Sequence, residues 1–196
     1  MKTLIFATHN KNKLKEIQQI LADYAQVRGL SDINCFEDIP ETGQNLEENA
    51  LQKAEYVFKK YNISCFADDT GLEVEALNML PGVHSARYAN ETNDSEKNIQ
   101  KLWQELKGKE NTKARFRTII TLVGKFGYLN FEGIVNGNII FEKRGQKGFG
   151  YDPIFIPEGY RKTFAEMSDI EKNKISHRAI AIKKLLNHLQ SVDRIK

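Results

Sequence analysis

The chain has few cysteines, few prolines and no long apolar run, and each shortage excludes something. Cys35 and Cys65 are the two cysteines in 196 residues, far apart and in apolar contexts. They match no metal-ligand spacing and read as reduced core thiols. Four prolines and 13 glycines exclude a collagen-like or low-complexity chain. No apolar stretch approaches the roughly 20 residues of a membrane-spanning helix. The apolar run over residues 3–7 is too short for a signal-peptide core, so a cytoplasmic protein is expected. A large charge imbalance is also missing: 29 Lys+Arg against 26 Asp+Glu leave a net +3. That permits contact with phosphates without demanding a nucleic-acid partner. With 40% hydrophobic and 10% aromatic residues, the chain is not disordered and is long enough to bury a core.

Strand and helix patterns mix throughout, with no repeat. Residues 3–7 read as a buried strand, residues 8–12 as a polar loop, and Leu14, Ile17, Ile20 and Leu21 recur at helical spacing. Asn45 is placed to cap a second helix with Glu47 and Glu48 in its first turn. Residues 64–67 read as a strand ending at Asp68-Asp69-Thr70-Gly71, and Leu80-Pro81-Gly82 as a turn. A third helix is expected over 94–107, stopped by Gly108. A hairpin is expected from 114–123 and 128–135, and a further strand over 138–142. Ser168-Asp169-Ile170-Glu171 has capping-box form. A final helix follows, marked by Ala179, Ile182, Leu185, Leu186 and Leu189. The expectation is a mixed α/β fold: an elongated curved sheet flanked by helices, in two lobes with a central cleft, all within one domain over 1–196.

Five segments have residues suited to chemistry, and each has a bland alternative. Thr8-His9-Asn10-Lys11-Asn12-Lys13 lies between strand and helix, where free N–H groups and partial positive charge attract phosphate; it also reads as an ordinary capped surface helix. Asp68 and Asp69 are adjacent on a buried strand, so they point to opposite faces and should have different jobs. One can hold Mg²⁺; an Asx-type turn is the alternative. Glu41 is a candidate second ligand, and Lys53 reads first as a solvated lysine. In Phe149-Gly150-Tyr151-Asp152-Pro153 the glycine admits close backbone approach, and the aromatics suit either stacking on a base or core packing. Lys172, His177 and Arg178 are donors able to read carbonyl oxygens or phosphates; a capped helix with surface charges is the alternative.

Taken in order, seven motifs resemble the inosine/xanthosine triphosphate pyrophosphatase family. They are Thr8-His9-Asn10-Lys11-Asn12-Lys13, Glu41-Thr42-Gly43, Glu48-Asn49-Ala50 with Lys53-Ala54, Asp68-Asp69-Thr70-Gly71-Leu72, Gly82-Val83-His84-Ser85-Ala86-Arg87-Tyr88, Phe149-Gly150-Tyr151-Asp152-Pro153 and Ser176-His177-Arg178. The resemblance implies Mg²⁺-dependent hydrolysis of ITP, dITP or XTP to the monophosphate and pyrophosphate, and a homodimer. It implies that Thr8 to Lys13 and Lys53 bind the substrate, that Glu41 and Asp69 serve the metal, and that Asp69, Asp68 and Lys13 are catalytic. Thr70, Phe149, Gly150, Tyr151, Asp152, Lys172, His177 and Arg178 would hold the nucleotide, with His177 and Arg178 donating to a 6-keto purine. A nucleotide-sensing module or a basic single-strand binder is the competing class. The first requires a lost carboxylate or lysine, and the second a steeper charge balance. A Nudix-type hydrolase lacks its glutamate-rich helix here.

Overall fold

Strand β1 (Lys2–Phe6) leads through Thr8 and His9 into helix α1 (Lys11–Ile20). Asn10 caps α1: its side-chain oxygen accepts the Asn12 and Lys13 N–H groups. The helix thus starts within the stretch expected to be loop. After β2 (Ala25–Arg28), helix α2 spans Leu46–Tyr61, capped by Asn45 as its sequence implies. The remaining elements are β3 (Cys65–Val74), β4 (Pro81–Gly82), α3 (Ser95–Leu106), β5 (Lys113–Gly124), β6 (Gly127–Ile139), β7 (Phe155–Pro157), α4 (Asp169–Ile175) and α5 (His177–Arg194). The structure, a computed structural model, describes residues 2–90 and 92–194.

The sheet is mixed, as expected. β1 runs parallel to β2 and β3, while β4 pairs antiparallel with β3 and β7 with β6. Strand order is β2-β1-β3-β5-β6-β7, with β4 on β3 off this path. Three expectations change. β3 does not end at the acidic pair but runs through it, because both carboxylates find cations. Leu80-Pro81-Gly82 is more than a turn, since Gly82 and Pro81 pair with Leu72 and Glu73 of β3. Of the separate strand expected over 138–142, residues 138 and 139 are the end of β6 and 140–142 lie outside any strand. Gly137 lets β7 close on β6, where a Cβ would lie 2.2 Å from the Ile156 carbonyl oxygen.

The chain divides into two compact units. The first comprises Met1–Asp69, Thr118–Gly133 and Arg178–Lys196, the second Thr70–Arg117 and Ile134–His177. In the first unit strand alternation sorts the core. Ile5, Ala7, Cys65 and Ala67 pack with Ala54 and Val57 of α2. Phe6 and Phe66, stacked at 4.8 Å, pack with Ile17 of α1 and Ala181, Ile182 and Leu185 of α5. One face of β1 and β3 therefore meets α2 and the other meets α1 and α5. Both cysteines are buried free thiols. The second unit has its own core, with Leu72, Ile99, Leu102, Phe116, Phe155 and Phe164 among its buried residues. Among the described residues no helix is long and apolar enough to cross a membrane.

Candidate active site

The sorting of β3 continues past its apolar residues. Asp68 shares parity with Phe66 and projects toward α1 and α5. Its Oδ1 accepts from Lys13 Nζ at 3.0 Å and its Oδ2 from Arg178 Nε at 3.2 Å. Arg178 also donates through Nη1 to Glu16 of α1. Arg178 and Asp68 are each 1% exposed. Burial alone would raise the Asp68 pKa, but the charges of Lys13 and Arg178 outweigh it and hold the carboxyl well below its usual range. Burial likewise opposes the charge on Arg178, and Glu16 and Asp68 more than restore it.

Asp69 shares parity with Cys65 and Ala67 and projects toward α2. Asn49 Nδ2 donates to its Oδ2 at 3.2 Å, and Lys53 Nζ lies 3.6 Å from its Oδ1. The same ammonium donates to Glu41 Oε1 at 2.6 Å. Burial raises the Asp69 pKa against the pull of Lys53 and Lys13, with Glu41 and Asp68 adding repulsion. Burial also works against the Lys53 charge, but Asp69, Glu41 and Asp68 raise its pKa overall. Lys53 is 7% exposed, so it is no solvated lysine. The two adjacent aspartates thus accept hydrogen bonds from different side chains, as strand alternation predicts.

Around them lies the 8–13 segment. Thr8 Oγ1 accepts the Asn10 N–H at 3.1 Å, and His9 Nε2 lies 2.9 Å from the Glu37 carbonyl oxygen. Lys11 and Asn12 are exposed, and Lys13 is turned inward onto Asp68.

A divalent metal fits the Glu41 and Asp69 pair. One ammonium already bridges these two carboxylates, and Asp69 is a buried anion whose environment favours its neutral form, so the pair is short of positive charge. Among the described residues no three His, Cys, Asp or Glu side chains gather as a ready-made cage. Two carboxylates completed by oxygens from another source could hold a hard divalent cation.

The second unit holds a different set. Lys172 Nζ donates to Asp152 Oδ2 at 2.6 Å, and both are buried. The same oxygen accepts the Phe149 N–H at 2.8 Å. The Lys172 ammonium lies 5.1 Å from the Phe149 ring centroid and 5.5 Å from that of Phe164, a cation–π range. Gly148 has φ +73°, and a Cβ there would lie 2.1 Å from Asp152 Oδ2, so a side chain would strike the acceptor itself. Gly150 is also left-handed, at φ +61°. His177 is buried and stacks on Phe116 at 4.7 Å and 16°. Thr70, half-buried, follows Asp69 along β3.

Two placements refine the sequence reading. Phe149 is half-buried, whereas Tyr151 sits in the core with its hydroxyl donating to the Ser85 carbonyl at 3.0 Å. His177 and Arg178 are consecutive but serve different sets: the imidazole lies on Phe116, and two guanidinium donors go to carboxylates of the first unit. Sequence reasoning missed Glu16, and it quoted Asn49 within a motif without giving it a role. Glu16 lies three residues after Lys13 on α1, and Asn49 four before Lys53 on α2, the spacings that share a helix face.

The family model of the Ham1 family matches residues 4–188. A dITP/XTP pyrophosphatase of Porphyromonas gingivalis is 53% identical over 190 residues, covering 96% of this chain and 98% of that one. A dITP/XTP pyrophosphatase of Christiangramia forsetii is 52% identical over 186 residues, covering 95% and 98%. The solved Staphylococcus aureus Ham1 protein superposes with a TM-score of 0.87 at 40% identity, covering 97% of this chain and 99% of that one. With matches of this extent in sequence and fold, the chain belongs to the Ham1 family.

Proposed function

We propose that this protein hydrolyses ITP, dITP and XTP at the α–β anhydride, giving the nucleoside monophosphate and pyrophosphate. The reaction keeps deaminated purines out of DNA and RNA. The observation that carries this reading is the division of labour at Asp68-Asp69: one carboxylate neutralised by Lys13 and Arg178, the other paired with Glu41 around Lys53. Family membership and relatives named dITP/XTP pyrophosphatase support it.

In this reading Glu41 and Asp69 hold Mg²⁺, which would offset the charge of the phosphates and of the leaving pyrophosphate. Thr8, His9, Asn10, Lys11, Asn12, Lys13 and Lys53 bind the phosphate chain. Asp69 orients and deprotonates the attacking water, because its cations offset burial less fully than those of Asp68 and leave it the more basic of the pair. Asp68, doubly paired with cations, is a poor base and instead holds Lys13 and Arg178 in place.

Another set of residues holds the purine. Phe149 stacks on the ring, and Thr70, Gly150, Asp152 and Lys172 hold the nucleoside. His177 donates to the 6-keto oxygen that inosine and xanthosine carry and adenosine lacks. A site built around such a buried hydrogen bond discriminates by about 10⁴ or more. Arg178, whose Nε and Nη1 are held by Asp68 and Glu16, is the second donor to this keto oxygen.

The whole chain acts as one catalytic domain, since both units are assembled from interleaved segments. It works in the cytoplasm as a homodimer, without nucleic-acid or membrane partners. A panel of dITP, ITP, XTP, dATP and dGTP at fixed Mg²⁺, read by pyrophosphate release, tests the function. Turnover of the first three over dATP and dGTP is expected; equal turnover of dATP would refute the base assignment.

A further inference from the structure

The segment 41–45 is laced to α2 residue by residue, in reverse order along the helix. Glu41 accepts from Lys53 at 2.6 Å. Thr42 N–H donates to Gln52 Oε1 at 3.0 Å, and Gln52 Nε2 returns a bond to Thr42 Oγ1 at 3.2 Å. Gly43 N–H donates to Asn49 Oδ1 at 2.7 Å, and Gln44 N–H to Glu48 Oε2 at 2.7 Å. The approach at Gly43 is close: a Cβ there would meet Glu48 Cβ at 2.6 Å and Asn49 Oδ1 at 2.8 Å.

Two α2 side chains, Asn49 and Lys53, reach both this segment and Asp69. They lie one helical turn apart on the same face. Lys53 joins Glu41 to Asp69 through charge, and Asn49 joins Gly43 to Asp69 through an amide. The two links respond differently to a cation. A metal between Glu41 and Asp69 competes with Lys53 for the same carboxylate charge. The neutral Asn49 amide holds one oxygen, Oδ2, and leaves Oδ1 on the Lys53 side. Asn49 is 3% exposed, so its amide has little water to exchange with, and both its bonds are enforced.

We infer that Asn49 is a positioning residue: its amide fixes the Asp69 carboxylate and the Glu41–Gly43 segment in one register, so that both metal-facing carboxylates stay aligned when Lys53 yields. This rests on the metal role proposed above for Glu41 and Asp69. A purely structural role, holding the turn alone, makes a different prediction. Asn49→Asp keeps an acceptor for the Gly43 N–H and loses the donor to Asp69. Gln52→Leu removes another of the segment's anchors, the paired bonds to Thr42, and touches neither carboxylate.

The test compares wild type, Asn49→Asp, Asn49→Leu and Gln52→Leu in dITP turnover across a Mg²⁺ titration. Calorimetric binding of Mn²⁺ in the presence of pyrophosphate gives a readout independent of turnover, and thermal unfolding verifies that each variant is folded. Both Asn49 variants are expected to lose at least tenfold in kcat, to need severalfold more Mg²⁺, and to bind Mn²⁺ severalfold more weakly. Gln52→Leu should stay within threefold of wild type in all three. Asn49→Asp indistinguishable from wild type, or Gln52→Leu as impaired as Asn49→Leu, would overturn the inference. Should wild type release no pyrophosphate, the functional reading fails on its own. The Mn²⁺ affinities of the four proteins then decide the role of Asn49.

Discussion

Replacing Asp68 with Asn keeps the side chain's shape and removes its charge from the most enclosed ion network in the first unit. Arg178 is 1% exposed and shares its guanidinium between Asp68 and Glu16. Lys13 retains 15% side-chain exposure and can recover some water. Breaking one side of a buried pair costs about 3–5 kcal/mol, because the partner charge is left behind. Glu16 still faces Arg178, so the low end, about 3 kcal/mol, is expected. For a chain of this length that is a fall in melting temperature of about 6–12 °C.

Urea unfolding of the single variants Asp68→Asn and Arg178→Gln and of the double variant measures the effect. The double variant should be less destabilised than the two singles together by more than about 1 kcal/mol, the mark of a direct interaction. The pH dependence gives a second reading. The Asp68 pKa is lowered in the fold, so its stabilisation is full above the unfolded carboxyl pKa, about 4. It is lost as pH falls through the lower folded value. Wild type should therefore lose its advantage over Asp68→Asn below about pH 4. A cost under about 0.5 kcal/mol at neutral pH, or strictly additive singles, would refute the reasoning.

Asp69→Asn should reduce pyrophosphate release at least a thousandfold while leaving the melting temperature unchanged or higher, because an ionised carboxyl whose folded pKa is raised costs stability at neutral pH. Gly148→Ala forces a Cβ onto the Asp152 carboxylate at a backbone φ of +73°; it should raise the KM for dITP more than it lowers kcat, by tenfold or more, in steady-state kinetics. Burial pushes the Cys65 thiol up to about 12 and raises that of Cys35. Native protein at pH 8 should therefore resist iodoacetamide, by mass spectrometry, while the urea-unfolded chain takes up two equivalents.

Helix starts were the most legible part of the sequence. Asn45 and Ser168 cap as their side chains imply, and Asp94 takes the cap of α3. A cap depends on a few adjacent residues, so local sequence suffices. The opposite orientation of Asp68 and Asp69 was legible for the same reason, since strand alternation is local. The extent of β3 was not. Two adjacent carboxylates look like a turn until their cations are known, and those come from Lys13, Lys53 and Arg178, up to 110 residues away. Lys53 looks solvated on a helix whose apolar face is marked by Ala50, Leu51, Ala54, Val57 and Phe58. It is buried because Glu41 and Asp69 give it partners, and nothing near it in sequence shows that. The donor pair His177-Arg178 was visible as residues but not as separate roles. One sits on Phe116, the other on Asp68 and Glu16, and tertiary packing alone makes that division.

Cleavage between the α and β phosphates is tested most directly by the identity of the first products. Phosphorus NMR of dITP with Mg²⁺ and enzyme should show dIMP and pyrophosphate rising together in equal amounts from the earliest time point. Orthophosphate and dIDP appearing first would contradict the account.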